Sequence, residues 1–241
     1  MADFTQYSDV IFDAFRLHAK PDEIVNRKIS MTAQVLEHYN LSPDSVLFIG
    51  FNPGILASKA KEIYVTEISD RVVDWLVSQG VAVKQLTDVT KKFDLVVACD
   101  EYLTFAKSES EQRDKIHKIC QFSKGVVITT VKDYKNQDFK DREYSQPAIV
   151  KNNGQTTSFV EIHNWHHTDR NALETSVYTM GANNCQCLGT YPRRTLFFKQ
   201  LAKFSSDSGA EHFFVHKNLM YKSLIKKNYE HIVSIALSEN I

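Results

Sequence analysis

Gly50, Asn52 and Gly54 alternate through the stretch SVLFIGFNPG, residues 45–54, where a buried apolar run gives way to a turn. Glycines let a backbone approach a ligand closely, and the start of a helix leaves N–H groups free to meet polar or anionic atoms. Further strand-like runs end on acidic residues: Glu67 after EIYVT, Asp88 after VAVKQLT, and Asp100-Glu101-Tyr102 after FDLVVAC. A carboxylate at the tip of a second strand, beyond a first glycine turn, is well placed to grip a ribose diol. Each of these alone is an ordinary turn or a solvated strand end. In succession along one edge they describe a ligand-binding edge. A third chemical cluster lies in EIHNWHHTDRN, residues 161–171. Glu161, His163, His166, His167 and Asp169 are general-base candidates there, and histidine suits proton removal near neutral pH. The plainer reading is a helix cap at Thr168 or Asp169, preceded by histidines that bond backbone or water. No familiar zinc spacing is present, so no metal is expected; Cys185-x-Cys187 lacks a second pair.

The elements that must position these residues follow from pattern. Residues 3–40 read as helical with a break at Pro21-Asp22, giving an N-terminal helical segment over 1–42. Then strands at 45–50, 62–69, VAVKQL, 93–100 and 125–131 alternate with helices at GILASKA, RVVDWLVSQG (capped by Asp70) and KSESEQRDKIHKICQF. The strands are short and Val/Ile-rich without alternating polarity, which marks a parallel sheet covered on both faces. The sum is a doubly wound, Rossmann-like α/β fold. After Val131 the spacing predicts an inserted polar loop and a hairpin about Asn152-Asn153-Gly154, together 132–167, near the active-site edge. It further predicts a helix over TDRNALETSVYTMG, a second hairpin turning at Thr190-Tyr191-Pro192, and a terminal helix from about Asn218 to Ser238.

On these residues the chain resembles the class I S-adenosylmethionine-dependent methyltransferases. VLFIGFNPG is similar to their glycine-rich first motif, YVTEIS to the strand whose acid holds the ribose, and FDLVVACDEYLTF to their fourth-strand motif. The resemblance implies one domain over 1–241, with a mostly parallel seven-stranded sheet, an antiparallel terminal hairpin and helices on both faces. It implies S-adenosylmethionine as cofactor, over Gly50, Asn52 and Gly54, with ribose on Glu67, adenine near Asp88, and Asp100 at the fourth strand's end. Tyr102, His163 and His166 become the catalytic candidates on the acceptor side. Phe48 stands where the family carries an acid, and Asn52 where it carries a glycine. A non-catalytic protein that keeps the fold with a degenerate cofactor site is therefore the second reading.

Bulk properties narrow the partners. The 241 residues, 43% hydrophobic, suffice for one large domain, and 29 basic against 29 acidic side chains argue against a chain-wide polyanion binder. A small-molecule acceptor is the first expectation. Residues 193–231 hold eight basic and three acidic side chains with interleaved aromatics, so a nucleic-acid surface in this basic C-terminal region is the alternative. The start has no signal-peptide pattern and no run is long enough to span a membrane; with Cys99 and Cys120 in core-like runs, a cytoplasmic protein is expected. A hydride-transfer site is disfavoured because GxGxxG is incomplete, and a P-loop because no Gly-Lys-Ser/Thr follows the turn.

Overall fold

The computed structural model describes residues 3–132, 142–152, 154–182, 184–225 and 229–237. Helix α1 (Phe4–Arg16) begins at Asp3, whose carboxylate accepts the Gln6 N–H, and turns Phe4, Tyr7, Ile11, Phe12 and Phe15 to the core. Helix α2 (Pro21–His38) starts on a proline, whose missing N–H costs nothing at that position. The predicted break at Pro21 is thus a four-residue joint, 17–20, between two helices.

Strands β1 (Ser45–Ile49), β2 (Glu62–Thr66), β3 (Val83–Gln85), β4 (Phe93–Ala98) and β5 (Ser123–Val131) run parallel. Helices α3 (Asp70–Ser78) and α4 (Glu109–Gln121) fall between them, and α3 is capped by Ser69 rather than by Asp70. β1 is buried at all five positions, as a strand covered on both faces must be. In place of a first crossover helix there is only a five-residue 3-10 turn, Pro53–Ala57.

The second half departs from the predicted elements. Strands β6 (Arg142–Tyr144), β7 (Ala148–Asn152), β8 (Gln155–Trp165), β9 (Ala172–Met180) and β10 (Cys185–Arg194) form a separate five-stranded antiparallel sheet. The β7–β8 hairpin is the predicted one, with Asn152 opposite Gln155; Asn153 lies outside the described residues, as do 133–141 of the predicted loop. The predicted helix over 168–181 is β9 instead. Leu173, Thr175 and Val177 are buried at a period of two, and β9 is flanked on both sides by β8 and β10, so pairing overrides the helix-like spacing. Asp169 starts no helix; its carboxylate accepts the Asn171 N–H in the turn before β9. The predicted turn at Thr190–Pro192 is also absent, because β10 runs straight through it to Arg194, and helix α5 (Phe198–Asp207) follows.

The expected terminal helix is two strands, β11 (His212–Lys222) and β12 (Tyr229–Ala236). Leu224 and Ile225, just past β11, and Ile232 and Val233 on β12 are core residues. β12 docks antiparallel on β5 and completes a seven-stranded sheet of order β11-β12-β5-β4-β1-β2-β3. The fold is therefore the doubly wound α/β sheet expected from the sequence, its terminal hairpin lying later in the chain.

At the sheet's amino edge, Asp94 of β4 ties the start of β1. It accepts the Ser45 N–H and hydroxyl, both at 2.8 Å, and the Asp44 N–H at 3.1 Å, and it pairs with Lys124 at 2.9 Å. Burial pushes the Asp94 pKa up, but the Lys124 and Ser45 bonds together hold it below the ordinary 3.8. A depressed carboxylate contributes its stability above the ordinary pKa and loses it as pH falls through the folded value. Asp94→Ala is expected to cost about 1.5–3 kcal/mol at neutral pH in urea unfolding. The gap to the wild type should shrink as the pH drops below 3.8.

Candidate active site at the carboxyl edge

The sheet order reverses between β1 and β4, and Gly50, Glu67, Asp100 and Tyr102 follow the carboxyl ends of β1, β2 and β4. The backbone there is unusual. Gly50 (φ 79°), Glu67 (φ 55°), Asp100 (φ 54°) and Glu101 (φ 58°) are all left-handed, and three of them are not glycine. Each of the three non-glycine residues costs of the order of 1–3 kcal/mol there and persists only where surrounding structure holds it. Asn52 does not take the positive φ that would let it imitate a glycine. It is extended (φ −129°), and its side-chain oxygen accepts the Gly54 N–H at 2.8 Å, capping the 3-10 turn.

Helix α1 covers this edge. A Cβ built on Gly50 would stand 2.7 Å from the Phe4 ring, so glycine is required by both space and φ. Ser8 Oγ accepts the Phe51 N–H at 2.7 Å, and the Thr5 hydroxyl reaches Glu67 Oε2 at 3.4 Å. Tyr102 is buried edge-on to Phe4, 4.8 Å between ring centres, and burial raises the pKa of its phenol. Asp100 is buried beside it. One of its carboxylate oxygens takes the Tyr221 hydroxyl in a short hydrogen bond, while Oδ1 has no hydrogen-bond partner among the described residues. Asp88 lies apart from this group, exposed, holding the Thr90 N–H and hydroxyl.

The second sheet meets the edge through a buried charge cluster that sequence reasoning did not assemble. Arg193 of β10, counted there among the basic C-terminal residues, is 2% exposed. It donates to Glu101 Oε2 at 2.6 Å and to Glu161 Oε1 at 3.3 Å, and Tyr7 of α1 donates to the same Glu161 oxygen at 3.0 Å. The guanidinium lies 4.8 Å from the Tyr7 ring centre and 4.3 Å from that of Phe105. No spacing rule links positions 7, 101, 161 and 193; only the fold does.

The two histidine candidates separate. His163 joins this cluster, with Nε2 at 3.8 Å from Glu161 and Nδ1 bonded to Thr175 at 2.9 Å. Burial, with Arg193 and Lys132 adding to it against the pull of Glu161, lowers its pKa to about 4. His163 is thus neutral near pH 7. His166 is exposed on the turn after β8, in a shallow depression with Trp165, His167 and Thr168. The basic C-terminal region forms no single helical face: Arg193 is buried, Arg194 pairs with Asp169 at 2.6 Å, and Lys226 and Lys227 lie outside the described residues.

For S-adenosylmethionine, the residues present fit two of its polar groups. Glu67 has carboxylate oxygens for a diol, and the partnerless Asp100 Oδ1 suits an ammonium group. The Phe4 ring lies against Gly50, so close approach to the glycine turn requires the first turn of α1 to shift.

No protein-family model matches the chain, and no curated protein matches it by sequence. Solved structures do match. The strand order, the reversal point and these matches together define the fold of the class I S-adenosylmethionine-dependent methyltransferases. Streptomyces venezuelae DesVI superposes with a TM-score of 0.70 at 13% identity, over 95% of this chain and 98% of that one. An S-adenosylmethionine-dependent methyltransferase from Clostridium acetobutylicum gives 0.63 at 12% identity, over 88% and 92%. CalS10 from Micromonospora echinaspora, an amino pentose methyltransferase solved with S-adenosylmethionine bound, gives 0.60 at 10% identity, over 87% and 90%.

Two outcomes follow from the cluster. Arg193→Ala strands Glu101 and Glu161 in the interior, and urea unfolding is expected to show a loss of about 3–5 kcal/mol. In a proton NMR titration the His163 ring signal should stay flat through the neutral range and move only as the pH nears about 4. Because the unfolded chain takes that proton near 6.5, His163 lowers stability as pH falls from 6.5 toward 4.

Proposed function

We propose that the protein is a methyltransferase that uses S-adenosylmethionine and acts on a small-molecule acceptor. The observation that carries this reading is the convergence of Gly50, Glu67, Asp100 and Glu101, all at positive φ, on the strand ends beside the point of sheet reversal. Strain held at one edge, in a fold shared with methyltransferases, is what a pre-organised ligand site requires. The cofactor, when bound, supplies an electrophilic sulfonium methyl group. Glu67 accepts the ribose hydroxyls, Asp100 Oδ1 holds the amino group, and the Gly50–Gly54 turn gives the backbone room for close approach. Asp88, on the loop after β3, meets the adenine end. Tyr102 faces the donor once Phe4 moves aside, and α1 excludes water over the edge. His163, neutral and held by Thr175, positions Glu161 in the cluster behind the acceptor side. His166, exposed on its turn, has no contact that supports a role there. The buried free thiols Cys99 and Cys120 support a reducing, cytoplasmic setting. Among the described residues no helix is long and apolar enough to cross a membrane.

One observation favours the second reading, a non-catalytic protein with the same fold. The Phe4 ring and the Ser8–Phe51 bond occupy the turn, and Phe48 is buried where the family carries an acid. Calorimetry with S-adenosylmethionine and S-adenosylhomocysteine separates the two. The methyltransferase reading expects micromolar binding, roughly 7–8 kcal/mol. Glu67→Gln should bind about ten- to a hundredfold more weakly with an unchanged fold. Phe4→Ala, which removes the plug, should bind at least as tightly as the wild type. No heat from either wild type or Phe4→Ala at millimolar ligand sinks the methyltransferase reading and leaves the non-catalytic one.

A further inference from the structure

A cavity of about 400 Å³ opens at the carboxyl edge on the β11–β12 side, away from the glycine turn. It is walled by the α1–α2 joint, the first turns of α2, strand β7 and the end of β11. Six of its lining residues are basic: His18, Lys20, Arg27, Lys28, Lys151 and Lys222. Its one acid, Glu23, is already paired with Lys20 at 2.6 Å. These residues come from three distant parts of the chain, so the positive charge is concentrated by the fold and not by a basic run of sequence.

Four of the six, Lys20, Arg27, Lys151 and Lys222, are exposed around the rim. Lys28 is different. It is 4% exposed, its ammonium donates to the Lys222 carbonyl at 2.8 Å, and it lies 3.0 Å from the centre of the Tyr221 ring. Two buried acids, Asp100 and Glu230, pull the Lys28 pKa up against the larger opposing effect of burial, while the groups it touches directly are a carbonyl and a ring face. His18 Nε2 is buried without a hydrogen-bond partner among the described residues. Burial lowers the His18 pKa, and Lys222 and Arg27 lower it further, so these three groups crowd one another electrostatically. Cationic side chains around a concave wall raise the potential for an anion, and an anion seated there favours the protonated form of the His18 imidazole.

The cavity also adjoins the proposed donor site. The Lys28 Cβ stands 3.6 Å from a Cβ built on Gly54, so the stem of this lysine packs on the glycine turn while its ammonium heads the cavity. The Tyr221 ring beneath that ammonium sends its hydroxyl to Asp100. Anything held at the cavity's base thus lies one side chain away from both the turn and the fourth strand's end.

We propose that this cavity is the acceptor subsite, and that it holds the methyl acceptor by an anionic group, phosphate or polycarboxylate, seated against Lys28 and His18 with Arg27 and Lys222 closing over it. The assignment as acceptor subsite rests on the methyltransferase reading; the anion site itself does not. Pyrophosphate and citrate serve as probes, titrated calorimetrically into the wild-type protein, Arg27→Ala/Lys222→Ala and Lys28→Met, with S-adenosylhomocysteine titrated in parallel. The wild type should bind at least one probe, with an affinity that falls steeply as salt is raised. The rim double variant, whose changes are both exposed, should bind it roughly tenfold or more weakly while its S-adenosylhomocysteine affinity and melting temperature stay put. Lys28→Met should abolish probe binding if it folds; the rim variant decides the matter if it does not. Tighter citrate than pyrophosphate binding assigns a carboxylate acceptor, and the reverse a phosphorylated one. No probe binding to the wild type, or unchanged binding to the rim variant, overturns the anion site whatever S-adenosylhomocysteine does. Probe binding that depends on the rim, in a protein that binds no S-adenosylhomocysteine, overturns the acceptor assignment together with the methyltransferase reading and leaves an anion-binding protein.

Discussion

The buried Arg193 is the interaction on which the covered edge depends. It joins three units that no backbone hydrogen-bond ladder connects: the end of β4 through Glu101, the second sheet through Glu161, and helix α1 through the shared Glu161–Tyr7 contact. Burying one cation and two carboxylates is costly, and such a cluster seldom adds net stability over an apolar equivalent. Its geometry is specific, however. A planar donor between two fixed carboxylates, lying against the neighbouring Tyr7 and Phe105 rings, admits few other arrangements of α1 over the sheet. What the cluster contributes is register: it fixes where α1 lies, and so where Phe4 meets Gly50.

That register explains the strain beside it. Glu101 must turn its side chain inward to reach Arg193, and it does so from a left-handed backbone conformation directly after another left-handed residue, Asp100. Its N–H is taken by Thr130 of β5 at 3.2 Å, and its carbonyl accepts both the Thr104 N–H and the Thr104 hydroxyl. The kink is therefore held from both sides. The consequence is that Asp100 projects toward Tyr221 and Lys28 while Glu101 projects the other way, toward the second sheet. Two adjacent carboxylates thus serve opposite sides of one strand end.

The parallel half of the sheet was legible because its central strands β1, β4 and β5 are buried on both faces, and continuous apolar runs such as those of β1 and β4 have few other homes. The Gly50 turn and the acidic strand ends were legible for a related reason: parallel topology puts all carboxyl ends on one side. The antiparallel half was not. In β9, Leu173 and Val177 are four apart and fit a helix as well as a strand, and only the flanking β8 and β10 decide between them. In β12, Ile232 and Val233 sit on opposite faces, both buried, and a sequence window cannot tell that from one stripe of a helix. Arg193 and the cationic cavity were illegible for a stronger reason. The cavity's His18 and Lys222 lie 204 positions apart, 222 less 18, and a window on Arg193-Arg194 shows two surface-type charges where the fold buries one and pairs the other.

Helix α1 then ties these features into one device. Its first turn meets the glycine turn through Phe4 and Glu161 through Tyr7, Ser8 follows with its bond to the Phe51 N–H, and the chain just past its end brings His18 to the cationic cavity. Thirteen helical residues span about 20 Å, so one helix reaches from the glycine turn to the wall of the cationic cavity. The Tyr7–Glu161 and Ser8–Phe51 bonds fix its first half. The Ser69–Asp9 and Arg71–Asp13 bonds fix its middle and last turn against the start of α3. Pinned along its length in this way, the helix sets the separation between the glycine turn and the cavity.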